Sequence, residues 1–139
     1  MSLKLENVSK SVDGHDWISE VNLTLEPGSF NVLLGRTLAG KTTLMRLMAG
    51  LERPTSGKVF MNGVDVTGVP VRERNLSMVY QQFINYPALT VYENIASPLR
   101  LAKMPEKLID ERVRETAHML HMEPMLKRYP MELSGGQQQ

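Results

Sequence analysis

Cysteine is absent from this chain of 139 residues. Without a thiol, the protein forms no disulfide, no cysteine-ligated zinc site and no thiol nucleophile, which fits a reducing compartment. An excess of charge of one sign is missing as well, since 16 basic and 15 acidic side chains leave a net charge of +1. This balance gives no electrostatic reason to expect a nucleic-acid partner, so any polyanion must be bound locally.

Long apolar runs are also lacking. Nowhere do about 18 apolar residues follow one another, the length that a membrane-spanning helix needs. The first ten residues, MSLKLENVSK, contain no apolar signal core. We therefore expect neither a membrane span nor a secretory signal, and any role at a membrane must come through partners.

The most informative segment is GRTLAGKTT, residues 35–43, which matches the phosphate-loop pattern G-x-x-x-x-G-K-[ST] at every fixed position. The apolar residues 30–34 before it predict a buried strand, and residues 41–49 after it predict a helix. The glycines therefore fall in a strand-to-helix turn, where backbone N–H groups and the positive end of a helix can bind a polyphosphate. An ordinary glycine turn is the alternative interpretation.

Each position of this loop has an expected role. Lys41 would reach the β- and γ-phosphates, Thr42 would give its hydroxyl to Mg²⁺, and Thr43 would add a donor near the α-phosphate. The glycines would let the backbone approach the phosphates closely. The predicted phosphate-binding residues are Gly35, Arg36, Thr37, Leu38, Ala39, Gly40, Lys41, Thr42 and Thr43.

Hydrophobic periodicity divides the chain into two parts. Short alternating or apolar runs predict strands at residues 3–5, 21–25, 57–61 and 76–80. Later the period becomes helical, and from Pro105 onward one face of an amphipathic helix carries Ile109, Val113, Ala117 and Leu120. We therefore predict a mixed α/β nucleotide-binding part over residues 1–86 and a small helical part over residues 87–139.

A second motif, the pentapeptide LSGGQ, occupies residues 133–137. Ser134 offers a hydroxyl, and Gly135 and Gly136 leave backbone N–H groups open, so a helix beginning there would make another anion site. Taken alone, Ser-Gly-Gly is a common flexible turn. With a phosphate loop upstream, the pentapeptide resembles the signature sequence of ABC-transporter nucleotide-binding subunits, and the resemblance covers the whole chain.

This resemblance implies a fold and a mode of assembly. The fold is an α/β P-loop NTPase core of the RecA-like type, with an amino-terminal antiparallel β portion and a small helical subdomain. Two copies, or a pair of nucleotide-binding subunits, would face head to tail, so that the signature of one closes over the γ-phosphate held by the other. The residues of the signature that contact ATP would be Ser134, Gly135, Gly136 and Gln137. ATP and Mg²⁺ would be the bound groups.

The family also implies a link to membrane subunits. Tyr80-Gln81 resembles the Q-loop, whose glutamine contacts Mg²⁺ and the attacking water, and we choose Gln81 over Gln82 because it directly follows the predicted strand. A polar strand end is the alternative. Residues 84–94 resemble the segment that lines the groove for the permease subunit, where Tyr86, Leu89 and Tyr92 would be exposed apolar contacts or would pack internally. The protein would then lie on the cytoplasmic face of the bacterial inner membrane.

The sequence departs from the family pattern in three ways. Val12 stands where an aromatic residue usually stacks on adenine, so Trp17 either supplies that face or belongs to the core. Arg36 stands where proline is common, which frees the loop and adds charge. The chain stops at Gln139, before the family's catalytic glutamate, so we expect an exposed sheet edge and no hydrolysis by this chain alone.

Three functions are compatible with these sequence features. The leading one is the ATP-binding subunit of an ABC importer, which couples ATP binding and hydrolysis to solute uptake; the wording of residues 72–75 and 84–94 resembles the carbohydrate and polyol branch. The second is a truncated nucleotide-binding or partner-docking module without turnover. The third is a soluble ABC ATPase that moves no solute, against which the charge balance argues.

Overall fold

The computed structural model describes all residues from Met1 to Gln139, and they divide into two compact units at residues 1–78 and 79–139. The predicted boundary, after residue 86, stays a prediction. No helix combines the length and the apolar character that crossing a membrane requires.

The first unit is built on an antiparallel sheet of four strands in the order β2-β1-β3-β4. The strands are β1 (Leu3–Val12), β2 (His15–Leu25), β3 (Ser56–Met61) and β4 (Val64–Asp65). Tight turns at residues 13–14 and 62–63 close two hairpins, and all four turn residues have positive φ, as two-residue hairpin turns of the primed type require. These turns carry the Asp-Gly and Asn-Gly pairs that favour them.

Helix α1 (Lys41–Ala49) lies on this sheet. Leu44 and Leu47 of the helix are buried and belong to one apolar cluster with residues of three strands. That cluster contains Leu3, Leu5, Val8, Ile18, Leu44, Leu47, Val59, Met61 and Val66. The helix begins and ends at glycines in the left-handed conformation, Gly40 at φ 79° and Gly50 at φ 78°. The predicted helix over residues 41–49 is therefore confirmed at both ends.

The strand expected over residues 30–34 does not form. These residues have no regular secondary structure, and Phe30 is 93% exposed. A strand exists only where neighbouring strands accept its backbone hydrogen bonds, and no strand of the four-stranded sheet pairs with this segment. The run is exposed as coil and does not form the edge of a sheet. The strand predicted over residues 76–80 is wrong for the same reason.

The second unit is helical. Its main helices are α2 (Val91–Leu101) and α3 (Glu106–Met119), and a short helix, α4 (Gly135–Gln138), follows. Three 3₁₀ turns complete the regular structure, with Val71–Glu73 in the first unit and Glu123–Met125 and Pro130–Glu132 in the second. Ile109, Val113 and Ala117 are fully buried, which confirms the predicted face of α3. Leu120 is 63% exposed and that part of the prediction is wrong, because the helix ends one residue earlier.

A capping box fixes the start of α2. The Thr90 hydroxyl accepts from the Glu93 N–H at 3.3 Å, and the Glu93 carboxylate accepts from the Thr90 N–H at 2.9 Å. These reciprocal bonds satisfy two of the helix-terminal donors. They also hold the pKa of the Glu93 carboxyl below its usual value, first through the Thr90 backbone and then through its hydroxyl.

Candidate functional site

The phosphate-loop segment folds back onto its own lysine. The Lys41 ammonium donates to the Gly35 carbonyl at 2.7 Å and to the Arg36 carbonyl at 2.6 Å. The Ala39 N–H donates to the Arg36 carbonyl at 3.2 Å and closes a turn within the loop. A long, flexible side chain is thereby held at the mouth of the loop, so its charge is in place before any ligand arrives.

The start of helix α1 presents unpaired backbone donors beside this ammonium. The first helical bond runs from the Leu44 N–H to the Gly40 carbonyl at 2.8 Å. The N–H groups of residues 40–43 precede it and have no partner within the helix. Together with the helix dipole they form a positive end that suits a phosphate group. The segment is open, since residues 35–39 are exposed.

Among the hydroxyls of the loop, Thr42 and Thr43 differ in exposure. Thr42 is exposed, whereas Thr43 is buried. The predicted role of Thr43 as an α-phosphate donor stays a prediction. The Arg36 guanidinium makes no hydrogen bond or ion pair, so its charge stands free next to the loop.

Strand β2 passes directly against the loop. A Cβ atom at Gly40 would lie 2.8 Å from the Trp17 carbonyl oxygen and 2.7 Å from Ile18 Cδ1. Only glycine fits there, because its left-handed backbone and this close approach both exclude a side chain. Ile18 points into the core, so the alternation of the strand turns Trp17 outward, where it is 55% exposed. The structure thus brings Trp17 beside the phosphate loop.

The predicted Q-loop glutamine belongs to the second unit. Gln81 and Gln82 form an exposed bend. The strand that we used to choose Gln81 over Gln82 is not formed, so nothing local distinguishes the two side chains. The role of Gln81 stays a prediction.

The signature pentapeptide starts helix α4. Ser134 is the N-cap residue, and its N–H donates to the Gln137 side-chain oxygen at 3.0 Å. The Gln137 N–H in turn donates to the Ser134 carbonyl at 3.0 Å. Ser134, Gly135, Gly136 and Gln137 are all exposed. The predicted helix start is therefore confirmed, and these bonds fix the conformation of an exposed segment.

The segment before α2 is shaped by one side chain that the sequence analysis gave no role. Asn94 Oδ1 accepts from the Tyr86 N–H at 2.8 Å. Its Nδ2 donates to the carbonyls of Tyr86, Leu89 and Thr90 at 3.1, 3.0 and 2.9 Å. An asparagine four residues after a helix cap is a usable sequence signal for such a turn. Asn94 thus gives residues 86–90 a defined shape.

The three large side chains that we expected to contact a partner, Tyr86, Leu89 and Tyr92, differ in exposure. Tyr86 is exposed, as a partner contact must be, and Leu89 is half-buried. Tyr92 packs against the helical core, and its hydroxyl donates to Asp110 Oδ1 at 3.2 Å. Burial, with the Asp110 carboxylate, raises the pKa of the Tyr92 phenol, while the Arg114 guanidinium lowers the pKa of Asp110. Tyr92 therefore packs internally and is not an exposed contact for a partner.

The chain is similar to known proteins over nearly all of its length. The family model described as ABC transporter matches residues 18–139. The chain is 42% identical over 137 residues to the spermidine/putrescine import ATP-binding protein PotA of Aggregatibacter actinomycetemcomitans, covering 99% of this chain and 37% of that protein. It is 42% identical over 138 residues to the sn-glycerol-3-phosphate import ATP-binding protein UgpC of Yersinia enterocolitica, covering 99% of this chain and 38% of that one.

A further relative and a solved structure agree with these matches. The putrescine transport ATP-binding protein PotG of Escherichia coli is 40% identical over 137 residues, which are 99% of this chain and 36% of PotG. The structure is described as a dimeric, post-hydrolysis state of an ATP-binding cassette bound to ADP and Pi. Its TM-score is 0.87 at 29% identity, over 98% of this chain and 65% of that one. The chain spans little more than a third of the length of the curated relatives.

The predicted fold class is confirmed, since this structural likeness is to an ABC ATPase domain, a P-loop NTPase. The family prediction is confirmed as well. Because the family model extends from the strand beside the phosphate loop through the LSGGQ pentapeptide, the chain belongs to the ABC transporter family.

Proposed function

We propose that this chain is the nucleotide-binding portion of an ATP-binding subunit of an ABC importer. The single observation that carries the proposal is the Lys41 ammonium, held at 2.7 and 2.6 Å by two loop carbonyls beside the open start of helix α1. The relatives named above are import or transport ATP-binding proteins, which supports the importer assignment. In the whole protein, ATP binding and hydrolysis would drive solute uptake.

The residues of the loop fit a nucleotide triphosphate. The phosphates would accept hydrogen bonds from the N–H groups of residues 40–43 and would replace the two carbonyls as partners of Lys41. The ammonium would then face a charged acceptor in place of a neutral one. Gly40 and Gly35 carry no side chain that could block this approach. Arg36, Thr37, Leu38 and Ala39 complete the loop around the phosphates. Thr42 is the residue of the loop that we propose to hold Mg²⁺, which would neutralise charge on the β- and γ-phosphate oxygens. The expected contact of Gln81 with Mg²⁺ stays a prediction.

Trp17 is the residue that we propose to stack on adenine in place of the missing aromatic at Val12. Its backbone lies against Gly40 of the loop, and its side chain is more than half exposed. An aromatic face at this place offers a sequence-tolerant surface for a planar base.

We propose that nucleotide bridges two subunits. Ser134, Gly135, Gly136 and Gln137 form an exposed segment whose conformation is fixed by its own capping bonds, which suits contact with the γ-phosphate held by a partner. The solved relative described as a dimer with ADP and Pi supports this assembly. ATP would then favour the closed dimer and hydrolysis the open one.

Turnover is assigned to the whole protein. The chain, which spans 37% of PotA, carries the phosphate loop and the signature, and we propose that these segments bind nucleotide. A module that only binds nucleotide or docks on a partner is therefore the second candidate. The named relatives do not favour the third, a soluble ATPase that moves no solute.

The membrane partner would be a permease subunit, and the protein would lie on the cytoplasmic face of the bacterial inner membrane. Residues 86–90, which Asn94 holds in one shape, expose Tyr86 to such a partner. The cargo predicted from sequence is a sugar or polyol. The names of the relatives extend this choice to polyamines and glycerol phosphate, and selection of the cargo belongs to other subunits.

Replacing Lys41 by alanine tests the proposal. Lys41→Ala removes the one full charge aimed at the β- and γ-phosphates, so the binding free energy of ATP should fall by about 2–3 kcal/mol, the net worth of hydrogen bonds to charged groups. This corresponds to roughly 30- to 150-fold in Kd by calorimetry. Lys107→Ala, at an exposed site of α3, is the control and should bind normally. Equal affinity in both variants would remove the phosphate-loop assignment.

A substitution in the signature tests the dimer. Ser134→Arg places a bulky cation at the start of α4, where it opposes the helix dipole and fills the space for the partner's γ-phosphate. In the whole protein with a non-hydrolysable ATP analogue, binding to the single subunit should persist while size-exclusion chromatography shows only monomer. Leu101→Arg, an equal change at an exposed helix end, should dimerise. Normal dimers of Ser134→Arg would contradict the two-site arrangement.

Tryptophan fluorescence can test the stacking role of Trp17, because Trp17 is the only tryptophan of the chain. ATP should quench or shift its emission, and Trp17→Ala should weaken ATP binding by about 1–3 kcal/mol, the range for stacking a base on an aromatic side chain. Inorganic pyrophosphate has no base and should bind the variant as it binds the unmodified protein. A lower Tm with unchanged ATP affinity would assign Trp17 to packing alone, and ATP and GTP would then bind almost equally.

A further inference from the structure

Arg74 is a buried cation without a carboxylate partner. Its residue is 4% exposed, although arginine is almost never buried unless its charge is paired. The guanidinium instead donates to five backbone carbonyls. They belong to Val66 at 2.6 Å, Val69 at 2.9 Å, Met48 at 3.1 Å, and Leu47 and Thr67 at 3.4 Å. Burial lowers the pKa of Arg74, yet a guanidinium stays protonated in proteins.

These carbonyls come from two separate segments. Two of them, from Leu47 and Met48, lie in the last turn of α1, where the Leu47 carbonyl also accepts from the Gly50 N–H at 3.2 Å. The other three lie in residues 66–69, which follow strand β4. A cation at a helix carboxyl end also interacts favourably with the helix dipole. Arg74 therefore fastens the end of α1 to the segment that follows the sheet.

Gly50 makes room for this arrangement. A Cβ atom at Gly50 would lie 2.3 Å from both Cζ and Nε of Arg74, closer than any packed atoms allow. The same glycine ends α1 in the left-handed conformation, with its N–H bonded to the last helical turn. The end of the helix, the glycine and the guanidinium form one packed unit, which we call the Gly50–Arg74 clamp.

The clamp lies at the opposite end of the helix that begins at Lys41. Helix α1 has nine residues, so it is about 13 Å long. A helix this short is marginal by itself, and its position depends on what holds it. The segment before it, residues 30–39, is exposed and adds little packing. Leu44 and Leu47 hold one face of the helix against the sheet, and the hydrogen bonds to Arg74 add directional contacts at its carboxyl end.

We propose that Arg74 is a positioning residue for the phosphate loop, because its two bonds to the last turn of α1 and its three bonds to residues 66–69 tie the helix to the first unit and so help to place Lys41 and the N–H groups of residues 40–43. This inference rests on the proposed nucleotide-binding function. Arg74, which lies outside the phosphate loop, thus contributes to nucleotide affinity as well as to folding.

The test separates affinity from stability. Arg74→Ala is compared with Ile109→Ala, which opens the core of the helical unit, a cluster that contains no residue of α1 or of the sheet. The Kd of Mg²⁺·ATP is measured by calorimetry well below the Tm of each variant. Both should melt earlier than the unmodified protein. Arg74→Ala should weaken binding by at least about tenfold, because small misplacements of binding groups are costly, whereas Ile109→Ala should bind within about twofold, as expected for a site that shares no partners with α1.

Arg74→Lys keeps the charge but loses the planar fork that reaches several carbonyls. It should restore the Tm in part and the affinity in part, and it serves as the test variant where Arg74→Ala does not fold. Normal affinity of folded Arg74→Ala or Arg74→Lys, or an equal loss in Ile109→Ala, would overturn the inference. If the Arg74 variants bound nucleotide normally while Lys41→Ala still lost binding, the inference would fail and the proposed function would stand. Failure of the unmodified protein to bind ATP would overturn both.

Discussion

The packing of helix α1 on the antiparallel sheet is the interaction on which the first unit depends. Leu47 is fully buried between helix and strands, and Leu44 lies beside it. This contact holds a short helix that has no stability of its own in water. Because the helix stays in place, its first turn presents free N–H groups and the Lys41 ammonium to solvent. The phosphate binding that we propose thus depends on apolar burial on the other side of the helix.

In the second unit, side-chain bonds to backbone fix the segments that face outward. Thr90 and Glu93 cap α2, and Ser134 and Gln137 cap α4. Asn94 holds the turn of residues 86–90 with four hydrogen bonds. Ordering these segments before a partner arrives reduces the entropy lost on association. The two exposed segments that we assign to partners therefore have defined shapes in the isolated chain.

The sequence predicted those features that depend on neighbours in the chain. The predicted helix over residues 41–49 is delimited by Gly40 and Gly50. The turns at residues 13–14 and 62–63 likewise depend on local pairs, Asp-Gly and Asn-Gly. Features that depend on distant partners were missed. Residues 30–34 have the apolar pattern of a strand, but a strand requires neighbours that the four-stranded sheet does not supply. Arg74 gives no local sign of burial, since the carbonyls it binds at Leu47 and Met48 lie 27 and 26 residues away.

The central claim is that the open first turn of α1 binds the phosphates of a nucleotide. Amide hydrogen exchange of residues 35–43, measured with and without Mg²⁺ and ATP, tests it most directly. The N–H groups of residues 40–43 have no acceptor in the free protein, so they should exchange rapidly without ligand and slow markedly when phosphate oxygens accept them. Unchanged exchange in this turn at a saturating ATP concentration, with protection only elsewhere in the chain, would contradict the claim.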